Sequence, residues 1–213
     1  IPFTFNQKTN QDISHYKNGI GDASIIAFYE LLNKRNSLQN KILIHNLWIG
    51  GGFKLPTGKY NPIDKGTNNN TNLFQSGTGS FDFSLNGMYD LRYQDVGINI
   101  AANIKMNTQN QYQYQYGNKF TLSSQLYYKF KIANSLSLVP NVGLVYETAQ
   151  KDIDNNIIAD ISGGNLTMGS IGIETAYKKM ALGINWQIPV QQNLANGIIK
   201  ANNRSMLHIS FLL

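Results

Sequence analysis

The 213-residue sequence contains no cysteine and few charged residues. The missing cysteines exclude a disulfide framework and a thiolate metal site within the chain. Charged residues account for 14%, whereas soluble domains carry about 25%. No window contains the 18 or more consecutive apolar residues that indicate a transmembrane helix. Composition therefore argues against both a charge-rich soluble domain and a helical membrane protein.

The beginning of the chain also lacks familiar features. It has no signal-peptide pattern, and Ile1 is not an initiator methionine. We therefore expect a processed or truncated product, in which Ile1–Phe5 is the end of a strand. The net charge is +6, but the basic residues neither cluster on a helix nor interleave with a binding motif. Nucleic acid is consequently not an expected partner.

The stretch Ser80–Met106 carries the clearest pattern, an alternation of apolar and polar residues with a period of two. This period predicts β-strands, and the break at Gln94–Asp95 predicts a hairpin with a two-residue turn. Each strand is longer than the 9 to 11 residues or so that cross a bilayer at a tilt. One face is apolar and the other polar, which is typical of a transmembrane barrel hairpin. The apolar face holds Phe81, Phe83, Leu85, Tyr89, Leu91, Tyr93, Val96, Ile98, Ile100, Ile104 and Met106.

The rest of the chain repeats this organisation, and its connections alternate between long and short. Pro140 lacks a donor for the hydrogen-bond ladder, so we expect an irregularity there. The further predicted strands are Ala23–Leu32, Ile42–Lys54, Phe120–Ile132, Leu136–Glu147, Leu166–Tyr177, Met180–Val190 and Met206–Leu213. Long polar connections are predicted at Asn6–Ile20, Leu55–Gly79, Asn107–Asn118, Thr148–Asn165 and Gln191–Arg204, and short turns at Asn33–Asn40, Gln94–Asp95, Ala133–Ser135 and Lys178–Lys179.

This alternation predicts an all-β fold, an antiparallel transmembrane β-barrel formed by a single domain over residues 1–213. Bacterial outer-membrane barrels have long extracellular loops and short periplasmic turns, which places the C-terminus in the periplasm. Such barrels have an even number of strands, and an open edge is costly in lipid. We therefore expect about 10–12 strands, with N-terminal strands missing from the chain.

Several motifs from Trp48 onward resemble a known family. They are Gly50–Asn61 (GGGFKLPTGKYN), Gly77–Phe83 (GTGSFDF), Tyr116–Phe120 (YGNKF) and the closing hairpins. The chain is similar here to outer-membrane barrels of the phenol meta-degradation pathway type. Within that family it most resembles small members from Gram-negative bacteria. The resemblance implies an outer-membrane location and uptake of small solutes, often apolar or aromatic. It carries over no binding residue.

The polar face of the predicted strands is the candidate functional surface, because in a barrel it lines the lumen. Mixed charges there either line a narrow aqueous path or pair and close it, and 10–12 strands fall between filled barrels and open pores. The predicted lumen-lining residues, with a presumed role in selectivity, are Asp82, Asn86, Asp90, Arg92, Asn99, Asn103, Lys105, Gln125, Lys129, Lys131, Asn141, Glu147, Glu174, Asn185, Gln187 and His208.

Catalysis and metal binding find little support. His208 and Ser210 share one face of the last strand, but at about 7 Å along it they are too far apart for the contact that a nucleophile needs. His15 and His45 lack partners at metal-ligand spacing. The tract Gln111–Tyr116 (QYQYQY) offers a stacking surface or, as we prefer, is an ordinary exposed loop. We expect no enzyme, no catalytic residue, no metal and no cofactor.

Two functions remain open. The first is a narrow channel or passive transporter for small solutes in the outer membrane of a Gram-negative bacterium. The second is a structural or accessory barrel with a closed lumen, whose loops Leu55–Gly79 and Thr148–Asn165 bind partner proteins in a larger assembly. Either barrel would contact the lipid bilayer and lipopolysaccharide.

Overall fold

The computed structural model describes residues 3–10, 13–38, 41–62 and 75–211. Its elements are almost all β-strands, as the two-residue period predicts. A single turn of 3-10 helix covers Ala195–Gly197. The strands are β1 (Phe3–Asn10), β2 (Ile13–Ile20), β3 (Ala23–Leu38), β4 (Lys41–Leu55), β5 (Asp82–Tyr93), β6 (Val96–Asn107), β7 (Tyr114–Gln115), β8 (Lys119–Tyr128), β9 (Phe130–Ala133), β10 (Leu136–Ala149), β11 (Ile153–Asp154), β12 (Ile157–Ile158), β13 (Gly164–Tyr177), β14 (Met180–Leu194) and β15 (Arg204–Phe211).

One large antiparallel sheet dominates the fold. Its order is β15-β14-β13-β10-β8-β6-β5-β4-β3, and β9 pairs with β10 beside β8. The sheet curls into a half-barrel, so the predicted antiparallel all-β architecture is confirmed. Within the described residues, β3 and β15 form the two edges of this sheet.

No helix within the described ranges has the length and apolar character needed to cross a membrane.

The hairpin predicted at Ser80–Met106 is confirmed. β5 and β6 pair from Asp82 opposite Asn107 down to Tyr93 opposite Val96. The two-residue turn lies at Gln94–Asp95, where Gln94 adopts a left-handed conformation with φ of 57°. Each side of the hairpin has 12 residues, so the apolar and polar faces run the whole length of both strands.

The predicted alternation of connections is confirmed as well. Short turns at residues 94–95, 134–135 and 178–179 lie at one end of the antiparallel sheet, which we call the short-turn end. The described parts of the longer connections, residues 56–62, 75–81, 108–118, 150–163 and 195–203, lie at the other, the long-connection end. The turn predicted within Asn33–Asn40 falls at residues 39–40, outside the described residues.

Four predicted boundaries are wrong. Asn6–Ile20 is not a connection, since β1 and β2 pair with each other from Phe3 opposite Ile20 onward in a separate sheet. Strand β3 continues through most of Asn33–Asn40 to Leu38, and β14 continues beyond Val190 to Leu194. The polar loop Thr148–Asn165 contains the small hairpin β11–β12. Strands pair through backbone groups that every residue except proline carries, so a polar stretch without alternation can still form a strand.

The irregularity predicted at Pro140 is confirmed on one side of its strand. The ladder between β8 and β10 stops at Tyr127 opposite Asn141, and β9 resumes it at Phe130 opposite Leu138. In between, the Lys129 N–H donates to the Asp95 carbonyl at 2.7 Å. The pairing of β10 with β13 passes Pro140 without a shift. Proline lacks the N–H that a continuous ladder requires.

Candidate functional site on the inner face

Cross-strand partners show how side chains distribute over the two faces of the sheet, because directly opposite residues share a face. One row of partners runs from Asp90 on β5 to Arg204 on β15. We call the face that holds this row the inner face and the opposite one the outer face. The predicted residues on the inner face are Asp82, Asn86, Asp90, Arg92, Asn99, Asn103, Lys105, Gln125, Lys131, Asn141, Glu147, Glu174, Asn185, Gln187 and His208, while Lys129 lies at the break between β8 and β9.

Burial identifies the inner face as the concave one. Its side chains are crowded, with Asp82 at 1% exposure, Ser170 at 4% and Gln187 at 7%. On the outer face, Leu144 is 56% exposed and Ile171 is 62% exposed. A curled sheet crowds the side chains on its concave side and spreads those on its convex side, so the polar residues line the hollow of the half-barrel.

An ion cluster of Asp22, Lys54, Asp82 and Lys105 occupies the long-connection end of the inner face. The Lys54 ammonium lies 2.5 Å from the Asp22 carboxylate and 2.6 Å from that of Asp82, and Lys105 lies 3.5 Å from the same Asp82 oxygen. The side chains of Lys54, Asp22 and Asp82 are 8% exposed or less. Buried charges persist in this way only when they are paired.

The Asp22 carboxylate fixes a long connection to the sheet. It accepts hydrogen bonds from the backbone N–H groups of Thr78 and Gly58, both at 2.9 Å. Burial by itself raises the pKa of Asp22, but the hydrogen bond from Lys54 and those from the two backbone N–H groups outweigh it and hold the pKa below its usual value. Asp22 is therefore a charged anchor for both ends of the connection between β4 and β5.

A second carboxylate, Asp152, holds two other long connections together. It accepts a hydrogen bond from the Tyr114 hydroxyl at 2.5 Å and one from the Gly117 N–H at 2.8 Å. Strand β7 also pairs with β11. Tyr114 is only 1% exposed, so the interpretation of Gln111–Tyr116 as an ordinary exposed loop is wrong for this residue. The buried hydroxyl requires a partner, and the partner lies in a connection distant in sequence.

Two inner-face hydrogen bonds reach over a glycine to a strand two positions away. The Tyr127 hydroxyl donates to Asp90 at 2.9 Å across Gly97. His208 Nε2 lies 2.8 Å from a Glu174 oxygen, with the His208 ring over Gly183. His208 thus has a carboxylate partner on β13. These contacts need both the curvature of the sheet and the missing side chain of the glycine.

A match to a family model covers residues 2–197 of the chain. The family is described as a putative MetA-pathway of phenol degradation. This chain belongs to that family. The resemblance drawn from its sequence motifs is therefore confirmed. No curated protein matches the chain.

In this family member, the sequence failed to single out several inner-face residues. Lys54, Lys119 and Arg204 were not identified, although their alternation with outer-face residues was a usable signal. Arg204 forms a two-bond contact with Glu147, at 2.5 and 3.1 Å. Asp22 gave no signal, because it follows a stretch without clear alternation.

An apolar patch interrupts the polar inner face. Val145, Leu166 and Met168 are at most 6% exposed, and Leu194 and Ala201 pack against them. Ala201 belongs to the connection between β14 and β15, and its N–H donates a hydrogen bond to the Gln192 side chain at 2.6 Å. This last connection therefore folds towards the inner face near the long-connection end.

The outer face carries an apolar groove of about 780 Å³ beside Pro140. Its walls include Leu126, Tyr128, Val142 and Trp186. The groove lies where the ladder between β8 and β10 is interrupted. Within the described residues, no group of three or more His, Asp and Glu side chains is placed to hold a metal ion.

Proposed function

We propose that this chain is part of an outer-membrane β-barrel of a Gram-negative bacterium. In this proposal the barrel contacts the lipid bilayer and lipopolysaccharide and acts as a narrow channel or passive transporter for small solutes, apolar and aromatic ones among them. The family description supports a connection with phenol degradation. The absence of enzyme activity stays a prediction.

The contrast between the two faces of the sheet carries this proposal. Large apolar side chains on the outer face are exposed on successive strands, among them Leu85 (56%), Leu126 (52%) and Ile184 (53%). Soluble monomers rarely expose a contiguous apolar patch larger than a few hundred Å². Membrane barrels, in contrast, combine an outward apolar band with a polar interior. Lipid is therefore the solvent that suits the outer face best.

The two ends of the sheet support an orientation. Long connections suit the extracellular side and short turns the periplasmic side, which would place the end of β15 at the periplasm. Tyr93, Tyr128, Phe130 and Tyr177 lie near the short-turn end with 41% to 52% exposure. Aromatic rings are enriched at the boundary between hydrocarbon and water, so these residues suit the periplasmic interface.

The ion pairs of the inner face favour a lined path over a closed lumen. Arg204 and Glu147 lie on strands three positions apart in the sheet, and His208 and Glu174 lie two positions apart. Both pairs join strands on the same side of the sheet, β10 to β15, and among the described residues no ion pair connects these strands with β3 to β8. A hollow that ion pairs do not bridge from side to side leaves space for the passage of a small solute.

Conductance in a planar lipid bilayer tests the channel. The purified full-length protein should give discrete openings, and heat-denatured protein should give none. Arg92→Ala and Lys129→Ala should each change the ion selectivity. Arg92 lies on the inner face towards the short-turn end, and Lys129 lies at the nearby break between β8 and β9. A silent membrane, with a folded barrel verified by circular dichroism, would rule out the open channel.

The buried ion cluster favours the second candidate, an accessory barrel closed at its long-connection end. Asp22, Lys54 and Asp82 fasten one long connection over the sheet, and Asp152 fastens two others. Protein partners would then bind the exposed parts of Leu55–Gly79 and Thr148–Asn165. Cysteine crosslinking from Ile157, which is 71% exposed, to neighbours in native outer membranes tests this candidate. An absence of crosslinked species would reject it.

A further inference from the structure

Two lysines face each other directly on the inner face. Lys105 on β6 and Lys119 on β8 are cross-strand partners. Like charges in directly opposite positions destabilise a strand pair. The arrangement therefore costs stability unless an anion lies close to both ammonium groups.

The described part of the chain supplies too few anions for these lysines. Asp82 is the carboxylate nearest to Lys105, at 3.5 Å, but it already pairs with Lys54 at 2.6 Å. Lys119 forms no ion pair among the described residues. With Asp22 included, three ammonium groups share two carboxylates, which leaves one positive charge unbalanced.

Neighbouring carboxylates are occupied elsewhere. Glu147 forms its two-bond contact with Arg204, and Asp152 accepts hydrogen bonds from Tyr114 and Gly117. Neither is released to neutralise Lys119 without losing these partners. Among the residues that the structure describes, one positive charge thus stays unbalanced.

A small hollow of about 190 Å³ lies beside Lys105, one member of this pair. Its polar lining comes from Ser24, Lys54, Asp82, Ser84, Asn103 and Lys105. A water molecule takes about 30 Å³ of liquid volume, so the hollow has room for several waters or for one small organic group. The ammonium, hydroxyl and amide donors of this lining suit a carboxylate, while the Asp82 carboxylate in the same lining is paired with Lys54.

The same wall becomes basic again towards the short-turn end. Arg92 lies on the inner face, and Lys131 pairs with Asp95 at 3.3 Å while its side chain stays 73% exposed. Asp90, two residues before Arg92 on the same face of β5, accepts a hydrogen bond from Tyr127. Between the two basic groups the inner face of β5, β6 and β8 presents amides, namely Asn86, Asn99, Asn103 and Gln125. A path along this wall is basic at both ends, and in the middle it carries these amides and the Asp90 carboxylate, which lies opposite Asn99.

We propose that the inner face conducts small organic anions of the carboxylate type in preference to cations, and that Lys105 and Lys119 bind the carboxylate at the long-connection end. This inference rests on the proposed channel function and names its substrate class. On the inner face of β10, β13 and β15, Glu147 pairs with Arg204 and Glu174 contacts His208, so both carboxylates have a partner on their own side of the sheet.

Two measurements on the full-length protein test the inference, with benzoate as the probe. Isothermal titration calorimetry should detect benzoate binding to the wild type. The double variant Lys105→Gln/Lys119→Gln should bind at least about fivefold more weakly, the factor that corresponds to about 1 kcal/mol. In planar bilayers, the reversal potential under a KCl gradient should show anion preference in the wild type and a clear loss of it in the double variant. The variant removes a repulsion, so it should fold, which circular dichroism checks.

Lys151→Gln is the matched control, because it removes a lysine from an exposed pair with Asp160 outside the strands. It should leave benzoate affinity and reversal potential unchanged. Equal benzoate affinity in the wild type and the double variant would overturn the binding site. A conducting but cation-selective wild type would overturn the anion preference while the channel stands. Bilayers without any conductance would overturn both the channel and its selectivity. The calorimetry would then still decide whether Lys105 and Lys119 bind benzoate.

Discussion

Gly97 shows how a single residue controls the packing of the inner face. A Cβ at this position would overlap the ring of Tyr127, which crosses Gly97 to reach Asp90. Overpacking of this kind costs about 1–3 kcal/mol. We therefore expect Gly97→Ala to lower the free energy of unfolding by about this amount, measured by urea unfolding in detergent with the fluorescence of Trp48 and Trp186.

Gly87 provides the control for this substitution. It lies in the neighbouring strand β5, and a Cβ there would meet no atom within 4 Å. Alanine disfavours the unfolded chain relative to glycine, so Gly87→Ala should be neutral or slightly stabilising. The double variant Gly97→Ala/Tyr127→Ser should regain part of the loss. If it is as unstable as Gly97→Ala alone, the ring contact is not the cause.

Lys54 is the cation shared by two buried carboxylates. Lys54→Met leaves the buried carboxylates of Asp22 and Asp82 without their shared cation, and breaking a buried pair from one side costs about 3–5 kcal/mol. The same unfolding measurement should show a loss in this range. Lys151→Met removes an exposed pair, with side chains 43% and 83% accessible, and should cost at most about 1 kcal/mol. Equal losses in the two variants would contradict the assigned burial of Lys54.

At the scale of the element, the small hairpin β11–β12 depends on its turn. Asn155 and Asn156 have φ of 51° and 65°, a left-handed conformation that costs most residues about 1–2 kcal/mol. Asn156→Val should therefore weaken the hairpin by about this amount, measured as faster amide hydrogen exchange at Ile153 and Ile158. Asn156→Gly tolerates the same conformation and should keep the protection. Unchanged exchange in Asn156→Val would show that the contact with β7 holds the hairpin alone.

Strands whose two faces differ could be predicted from the sequence, and strands without this difference could not. The alternation in Ser80–Met106 located β5, β6 and their turn, whereas β1 and β2 pair in a polar stretch that shows no period. Alternation also put the candidate residues on one face of the sheet. It could not reveal that Tyr127 reaches Asp90 or that Lys54 is buried, because both depend on the curl of the sheet and on connections that fold back over it.

At the scale of the whole molecule, the proposed membrane location makes the outer face sensitive to charge. Leu144 lies in the central part of β10 and is 56% exposed. In water, a substitution at such an exposed site changes stability by about 0.5 kcal/mol or less. In a bilayer, arginine near the midplane of a barrel costs about 2–4 kcal/mol. The exposed fraction of Leu144 is the same whether water or lipid surrounds the outer face. The expected loss of stability therefore depends only on which of the two is the solvent there.

Leu144→Arg in phospholipid vesicles should therefore lower the free energy of unfolding by about 2–4 kcal/mol, measured by urea titration. Val190→Arg is the matched variant, because Val190 is 69% exposed on the same face but lies at the irregularity near the long-connection end of β14. Arginine close to the interface costs at most about 1 kcal/mol. A loss that is small and equal at both positions would mean that water, not lipid, covers the outer face, and the outer-membrane proposal would then fail.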